Sequence, residues 1–374
     1  MKEKDTFHFS KTPYAELHLH FGGSISPRMI WHKVTVDDKS DELKKEFKDF
    51  YSFQNFFDQK RNNLDDYLKM HKLVEPLQKL DRLEYFIQRL MRGAYEFENL
   101  SYIEIRHCPY GRTNKLKEEK ERIAEMRVIV LKMDEYIKKY TGGGKNQYPI
   151  IIRQILCMHS QPTYSPNVNS AILDLAIEMN KLNIVHGLDI AGGEKNYSDR
   201  YDEILNNFKR AKEEKLRTTA HIFETEDTPD RMLELIQYLD RIGHGIQIPL
   251  KYPSYLPFLK QNNICLEVCP TTYFKCGTFE DYNDENFKKI FSACEKENVD
   301  IVIGTDNSGM HNVRLQTEFE NLLLHEVIKY EQLNRFRQNA FEHAFGLTPV
   351  EKQIFKDDVN LTIDNGKYVL EIKI

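Results

Sequence analysis

Short apolar, β-branched runs alternate with charged helical stretches through most of the 374-residue chain, and this alternation leaves few folds open. The runs lie at 14–20, 100–108, 148–158, 184–190, 217–223, 242–245, 264–268 and 299–304. Strands separated by helical sequence pair in parallel through crossovers, and eight such units are the count of a TIM (β/α)8 barrel. A barrel of that kind needs about 250 residues, so the surplus is insertions. One is expected as helices after the first strand, at about 39–69, charged and carrying Phe47, Phe50, Tyr51, Phe53, Phe56 and Phe57. Its aromatic stripe reads as core, and a helix there would lie over the barrel mouth. Lys115–Lys139 reads as a long amphipathic helix with a solvated face. At about 359–374 the pattern alternates apolar and polar around Asp364-Asn365-Gly366, the signature of a C-terminal β-hairpin. A lone hairpin is marginal in water, so this one must cover the barrel's flank or offer its open edge to a second copy, giving a homo-oligomer. No repeat or low-complexity linker interrupts 1–374, which is read as a single domain.

The net charge of −5 gives no global field for nucleic acid. No apolar run approaches the length of a membrane span, and Met1-Lys2-Glu3-Lys4-Asp5 precedes no leader-like segment, so a cytoplasmic protein is expected. The six cysteines show no Cys-x-x-Cys pair and read as reduced thiols.

Chemistry is concentrated at the carboxyl ends of the predicted strands, where a barrel keeps its active site. His18 and His20, two apart on the first strand, share one face. The fifth strand ends in His221, with Glu224 three residues on; the sixth ends in Gly243-His244-Gly245; the eighth in Thr305-Asp306-Asn307. Three imidazoles and one carboxylate suit a divalent ion such as Zn2+, one per subunit, with a position left for water. His244 would orient or deprotonate that water, and Glu224, its pKa raised by burial, would protonate a substrate nitrogen. Adding hydroxide to an electron-poor carbon while protonating the acceptor is hydrolytic deamination. Amide or ester hydrolysis at two metals would want a bridging carboxylate or a modified lysine ending the fourth strand, which instead ends Asp189-Ile190-Ala191-Gly192.

At these residues the chain resembles the adenosine deaminase family of metal-dependent hydrolases, from about Pro13 to about Ala344. The family's His-x-His, His-x-x-Glu, Gly-His-Gly and Thr-Asp-Asp motifs match His18 and His20, His221 and Glu224, His244, and Thr305-Asp306-Asn307. Tyr102–Arg106, Leu188–Glu194 and Leu266–Thr271 also look like the family. The resemblance implies His18, His20, His221 and Asp306 as metal ligands, Glu224 as the acid at purine N1, and Gly192 as an amide donor to the ring. Three departures bear on substrate. Where adenosine deaminases carry an aspartate that contacts the ribose 5′-hydroxyl, this chain has Gly22, which is expected to leave room for a 5′-phosphate, with Ser24 and the Gly22–Gly23 backbone nearest to it. This is the pattern of the branch acting on 6-methyl-AMP. Asn307 replaces an aspartate that bonds N7, and an amide can always donate there. Thr272-Tyr273 replaces the usual Ser-Asn. The expected reaction is therefore zinc-dependent deamination of an adenine nucleoside 5′-phosphate. The alternatives are an adenosine or deoxyadenosine deaminase, an ATP or dATP deaminase of phage defence, and an inactive deaminase-like scaffold.

Overall fold

The computed structural model describes residues 13–142, 147–357, 359–364 and 367–372, the last two stretches as backbone. Strands β1 (Tyr14–His20), β2 (Leu100–His107), β3 (Ile151–His159) and β4 (Val185–Ala191) form one parallel sheet in that order. Strands β5 (His221–Ile222), β6 (Arg241–His244), β7 (Cys265–Val268) and β8 (Ile301–Ile303) form a second. The sheets meet at two seams, each through a single parallel bridge: Leu188 with Thr218, and Leu19 with Asp306. At the second seam the His20 N–H donates to Asp306 O and the Asp306 N–H to His18 O, both at 2.8 Å. The eight strands with their intervening helices make the α/β barrel of TIM type.

Three strands are shorter than the sequence pattern suggests by two residues or more: β8, which keeps only Ile301–Ile303 of the 299–304 run, and β3 and β5. β3 begins at Ile151 rather than Tyr148, because Pro149 has no N–H to give the ladder. The 217–223 run contributes only His221–Ile222 to a regular ladder, because it changes partner within a few residues. Arg217 O and the Thr219 N–H bond Leu188 of β4, Ala220 O accepts from Gly243 of β6 and Ile222 O from Gly245 just past its end, and a left-handed Phe223 (φ 57°) ends the strand.

After β1 the chain passes through helices Phe50–Asp58, Leu64–Tyr67, Lys69–Val74 and Leu83–Glu96. Asp49 caps the first, its carboxylate accepting the Ser52 N–H while the Ser52 hydroxyl accepts the Asp49 N–H. Phe53 and Phe57 are buried and Phe47, Phe50 and Phe56 partly so, which makes the stripe core; Tyr51, 82% exposed, is the exception. The long helix runs Glu119–Tyr140. The C-terminal strands Val359–Asp364 and Lys367–Ile372 pair antiparallel as expected and join neither barrel sheet; the Asn365-Gly366 turn and the first residues of the chain lie outside the described residues. Among the described residues no helix is long and apolar enough to cross a membrane, and all six cysteines are free and buried.

Inside the barrel the core is partly ionic. Arg106, Arg241, Glu104 and Glu267 are fully buried, a position that charges hold only when paired. Arg241 bonds Glu267 Oε1 at 2.5 Å and Glu104 Oε2 at 2.6 Å, while Arg106 bonds Asp189 at 3.2 Å and the other oxygen of Glu267. Burial alone would raise the Glu267 carboxyl, but the two guanidinium groups outweigh it and bring the pKa down to about 2.

Candidate active site

Each of the expected site strands delivers its residue to the same end of the barrel. Three residues at these strand ends, Phe223, His244 and Asp306, adopt left-handed backbone (φ 57°, 63° and 59°). For side chains other than glycine such a conformation costs about 1–3 kcal/mol and turns the chain sharply out of the strand. The result is that His221, His244 and Asp306 face His18 and His20 across the mouth.

His18, His20, His221 and Asp306 each offer one ligand atom, all within 4.8 Å of one another. His221 Nε2 lies 3.1 Å from His18 Nε2 and 2.9 Å from His20 Nε2, and Asp306 Oδ1 lies 3.7 and 3.3 Å from the same two nitrogens. Donors about 2.0–2.2 Å from one ion sit about 3.0–3.6 Å apart, so these spacings fit a single divalent cation. The tautomers fit too. His18 Nδ1 meets Glu267 Oε2 at 2.7 Å and His221 Nδ1 meets Asp189 Oδ1 at 3.1 Å, which holds the protons on Nδ1 and turns both Nε2 lone pairs inward. Burial, then neighbouring positive charge, keeps His18 and His20 well below the usual imidazole range and therefore neutral, as a ligand must be. Asp306 is fixed through its other oxygen, which accepts the Thr272 hydroxyl at 2.8 Å. Cys269 also lies near His18 and His244, but burial pushes its thiol far up and leaves it a poor ligand.

Glu224 stands beside this group. Its N–H donates to Glu194 Oε1 at 3.0 Å, its Oε2 is 3.5 Å from His244 Nε2, and its Oε1 is buried with no partner. Burial first, and the charges of Glu194 and Asp306 next, raise its pKa well above the carboxylate range. His244 Nδ1 lies 3.2 Å from the Tyr273 hydroxyl, which also accepts the Cys269 N–H at 3.0 Å. Thr272 and Tyr273, which depart from the resembled motif, thus position Asp306 and His244.

His20, His221, Glu224, His244 and Asp306 line an inner cavity, open on one side, with Gly192 on its wall. Gly192 has φ 115°, and a Cβ there would sit 2.5 Å from Ser160 Oγ, so no other residue fits. Of the other expected substrate contacts, Asn307 is buried behind Tyr67, its amide donating to Tyr67 Oη at 2.6 Å and its Oδ1 without a partner. Asn307 packs onto Gly23, where a Cβ would be 1.7 Å from Oδ1. The Ser24 hydroxyl donates to Phe21 O at 2.9 Å. The room expected at Gly22 is taken: a side chain there would meet Glu75 Cγ at 3.2 Å. Tyr67, His71 and Glu75, which sequence reasoning missed, line the cavity from the helical segment over the mouth. Their i, i+4 spacing, which puts polar side chains on one helical face, was the available signal.

A family model described as adenosine deaminase matches residues 13–360. An adenosine deaminase of Enterococcus faecalis is 27% identical over 358 residues, covering 93% of this chain and 96% of its own. Among solved structures, the N6-methyl-AMP deaminase of Arabidopsis thaliana superposes with a TM-score of 0.71 at 18% identity, over 93% of this chain and 96% of its own. An amidohydrolase of Burkholderia ambifaria with bound zinc gives 0.72 at 18% identity, over 92% and 88%.

Proposed function

The chain belongs to the adenosine deaminase family of metal-dependent aminohydrolases acting on adenine compounds, and on that premise we propose that it converts the adenine base of a nucleoside 5′-phosphate to hypoxanthine, releasing ammonia, with one zinc ion per subunit. The observation that carries the reading is the Glu224 carboxyl: buried, with Oε1 unpartnered, beside four converging donors that fit one ion.

Zinc held by His18, His20, His221 and Asp306 would lower the pKa of water to about 7. His244, neutral because burial holds its pKa far down, takes the proton of the attacking water while Tyr273 fixes its ring. Glu224, kept protonated, gives its proton to N1, so that the ring accepts electrons as oxygen bonds to C6; the C6–N bond then breaks, and the proton left on the C6 oxygen returns to Glu224 as the carbonyl forms. The proton that His244 received leaves with ammonia. The Gly192 amide and Asn307, once its amide leaves Tyr67, hold the base.

For the nucleotide, support comes from a second, outer cavity that shares Leu68, His71, Glu75 and His159 with the inner one and carries Lys72, Lys115 and Arg122. The Arabidopsis protein of the same fold, named for N6-methyl-AMP, points the same way. A nucleoside is the second reading, favoured by the names of the curated relatives and by the Glu75 carboxylate over Gly22. Six buried thiols without a disulfide suit a cytoplasmic setting. The test is a matched turnover panel of zinc-loaded protein on adenosine, deoxyadenosine, AMP, dAMP, 6-methyl-AMP, ATP and dATP, followed by ultraviolet absorbance. A monophosphate leading by tenfold or more supports the proposal; adenosine leading replaces it with the nucleoside reading; no turnover with zinc bound refutes catalysis.

A further inference from the structure

Glu75 is the one carboxylate that lines both cavities. Its carboxyl group has no hydrogen-bond or ion-pair partner among the described residues, whereas the other acidic side chains of the inner cavity, Glu224 and Asp306, face His244 and the histidine cluster. Its position is built. Val74 and Leu77 on either side are buried, the Gln78 N–H donates to Glu75 O at 3.1 Å, and the Gln78 amide donates to Gly22 O at 2.9 Å, which ties this turn to the end of β1. Two glycines make the slot. A Cβ on Gly22 would meet Glu75 Cγ at 3.2 Å and one on Gly111 would meet Glu75 Oε2 at 3.0 Å. Burial raises the carboxyl, with Arg112 and Lys115 opposing.

A base placed with C6 at the histidines and N1 at Glu224 would lie in the inner cavity, and the space that this cavity shares with the outer one, lined by Leu68, His71, Glu75 and His159, is where its N9 substituent would then run. A carboxylate there accepts hydrogen bonds from neutral hydroxyls and repels an adjacent anion. We propose that Glu75 accepts hydrogen bonds from the sugar hydroxyls of the substrate and selects a hydroxylated sugar next to the base, any phosphate lying beyond it near Lys72, Lys115 and Arg122. The inference rests on the adenine-compound reading above and deepens it.

The experiment uses zinc-loaded full-length protein and two readouts: turnover, and calorimetric binding of inosine, 2′,3′-dideoxyinosine, 5′-deoxyinosine and 9-ethylhypoxanthine. Glu75→Ala should weaken inosine binding and raise KM for the ribosides about tenfold to a hundredfold, the range for a hydrogen bond to a charged group, with kcat nearly kept. The loss should vanish for 9-ethylhypoxanthine and for the analogue lacking the contacted hydroxyl. Gly22→Asp in the Glu75→Ala background returns a carboxylate to the slot from the opposite wall and should restore much of the affinity. Equal losses for ribosides and 9-ethylhypoxanthine, or no loss at all, overturn the proposal. Glu75-dependent riboside binding without turnover would sink the deaminase reading and leave this one standing.

Discussion

Below the plane of the histidines, the barrel's charges are spoken for: Glu267 lies between Arg106 and Arg241, Glu104 on Arg241, Asp189 on Arg106 and His221, and each carboxylate ends on a cation or a ring. Above that plane, Glu224 Oε1, Asn307 Oδ1 and the Glu75 carboxyl have no partner among the described residues. Both regions are lined by charged and polar side chains, so polarity alone does not mark the site. What separates them is whether the carboxylates already meet a protein partner: those of the lower set are paired and hold ligands in place, whereas Glu224 Oε1 and the Glu75 carboxyl of the upper set are left open to something that is not protein.

Replacing an upper group should therefore damage chemistry and spare the fold. Glu224→Gln keeps the shape and loses the acid; turnover is expected to fall about 10²–10⁴-fold with the unfolding midpoint nearly unchanged. A comparable loss of stability would mean that Glu224 belongs with the lower set. The reverse holds for Glu267→Ala, which takes one carboxylate partner from each of two buried guanidinium groups and, among the described residues, the only carboxylate from the His18 Nδ1; a loss of about 3–5 kcal/mol in denaturant unfolding is expected. The same carboxylate sets an acid limb. With its folded pKa lowered to about 2 from an ordinary 4.5, the unfolded chain binds the proton more readily. Stability supplied by Glu267 is complete above about pH 4.5 and declines as pH falls towards 2, by about 3 kcal/mol in all. Glu267→Gln should flatten that limb, and an unchanged limb would break the distinction. The mildest test touches the boundary between the regions. Thr272→Val removes one hydrogen bond to Asp306 and should weaken zinc binding about tenfold in a chelator competition, with little change in unfolding of the metal-free protein.

The two regions also differ in how far they could be read from sequence. Periodicity located all eight strands, because apolar runs between charged helices have one economical arrangement, and residues delivered to strand ends by that register, His18, His20, His221, His244 and Asp306, converge as expected. The ends of β3 and β5 were misjudged, since a proline and a change of partner act on backbone bonds that hydropathy does not register. Glu267 and Asp189 sat in stretches noticed for their resemblance, yet their partners lie far along the chain, and no local spacing reveals that. Glu75 was missed for a related reason. The glycine at 22 was read as empty space, whereas space beside a glycine belongs to whichever segment folds over it, here one more than fifty residues later.

The two single-bridge seams give the metal site a second meaning. Its donors divide evenly, His18 and His20 from the sheet of β1–β4, His221 and Asp306 from the sheet of β5–β8. An ion bound to all four would be a cross-link between two halves of the polymer, clasping near its open end the seam at which Leu19 and Asp306 share one bridge. Coordination free energy then enters the cohesion of the barrel as well as its reactivity, alongside the buried Arg106–Glu267 and Arg241–Glu104 pairs that also cross from one sheet to the other.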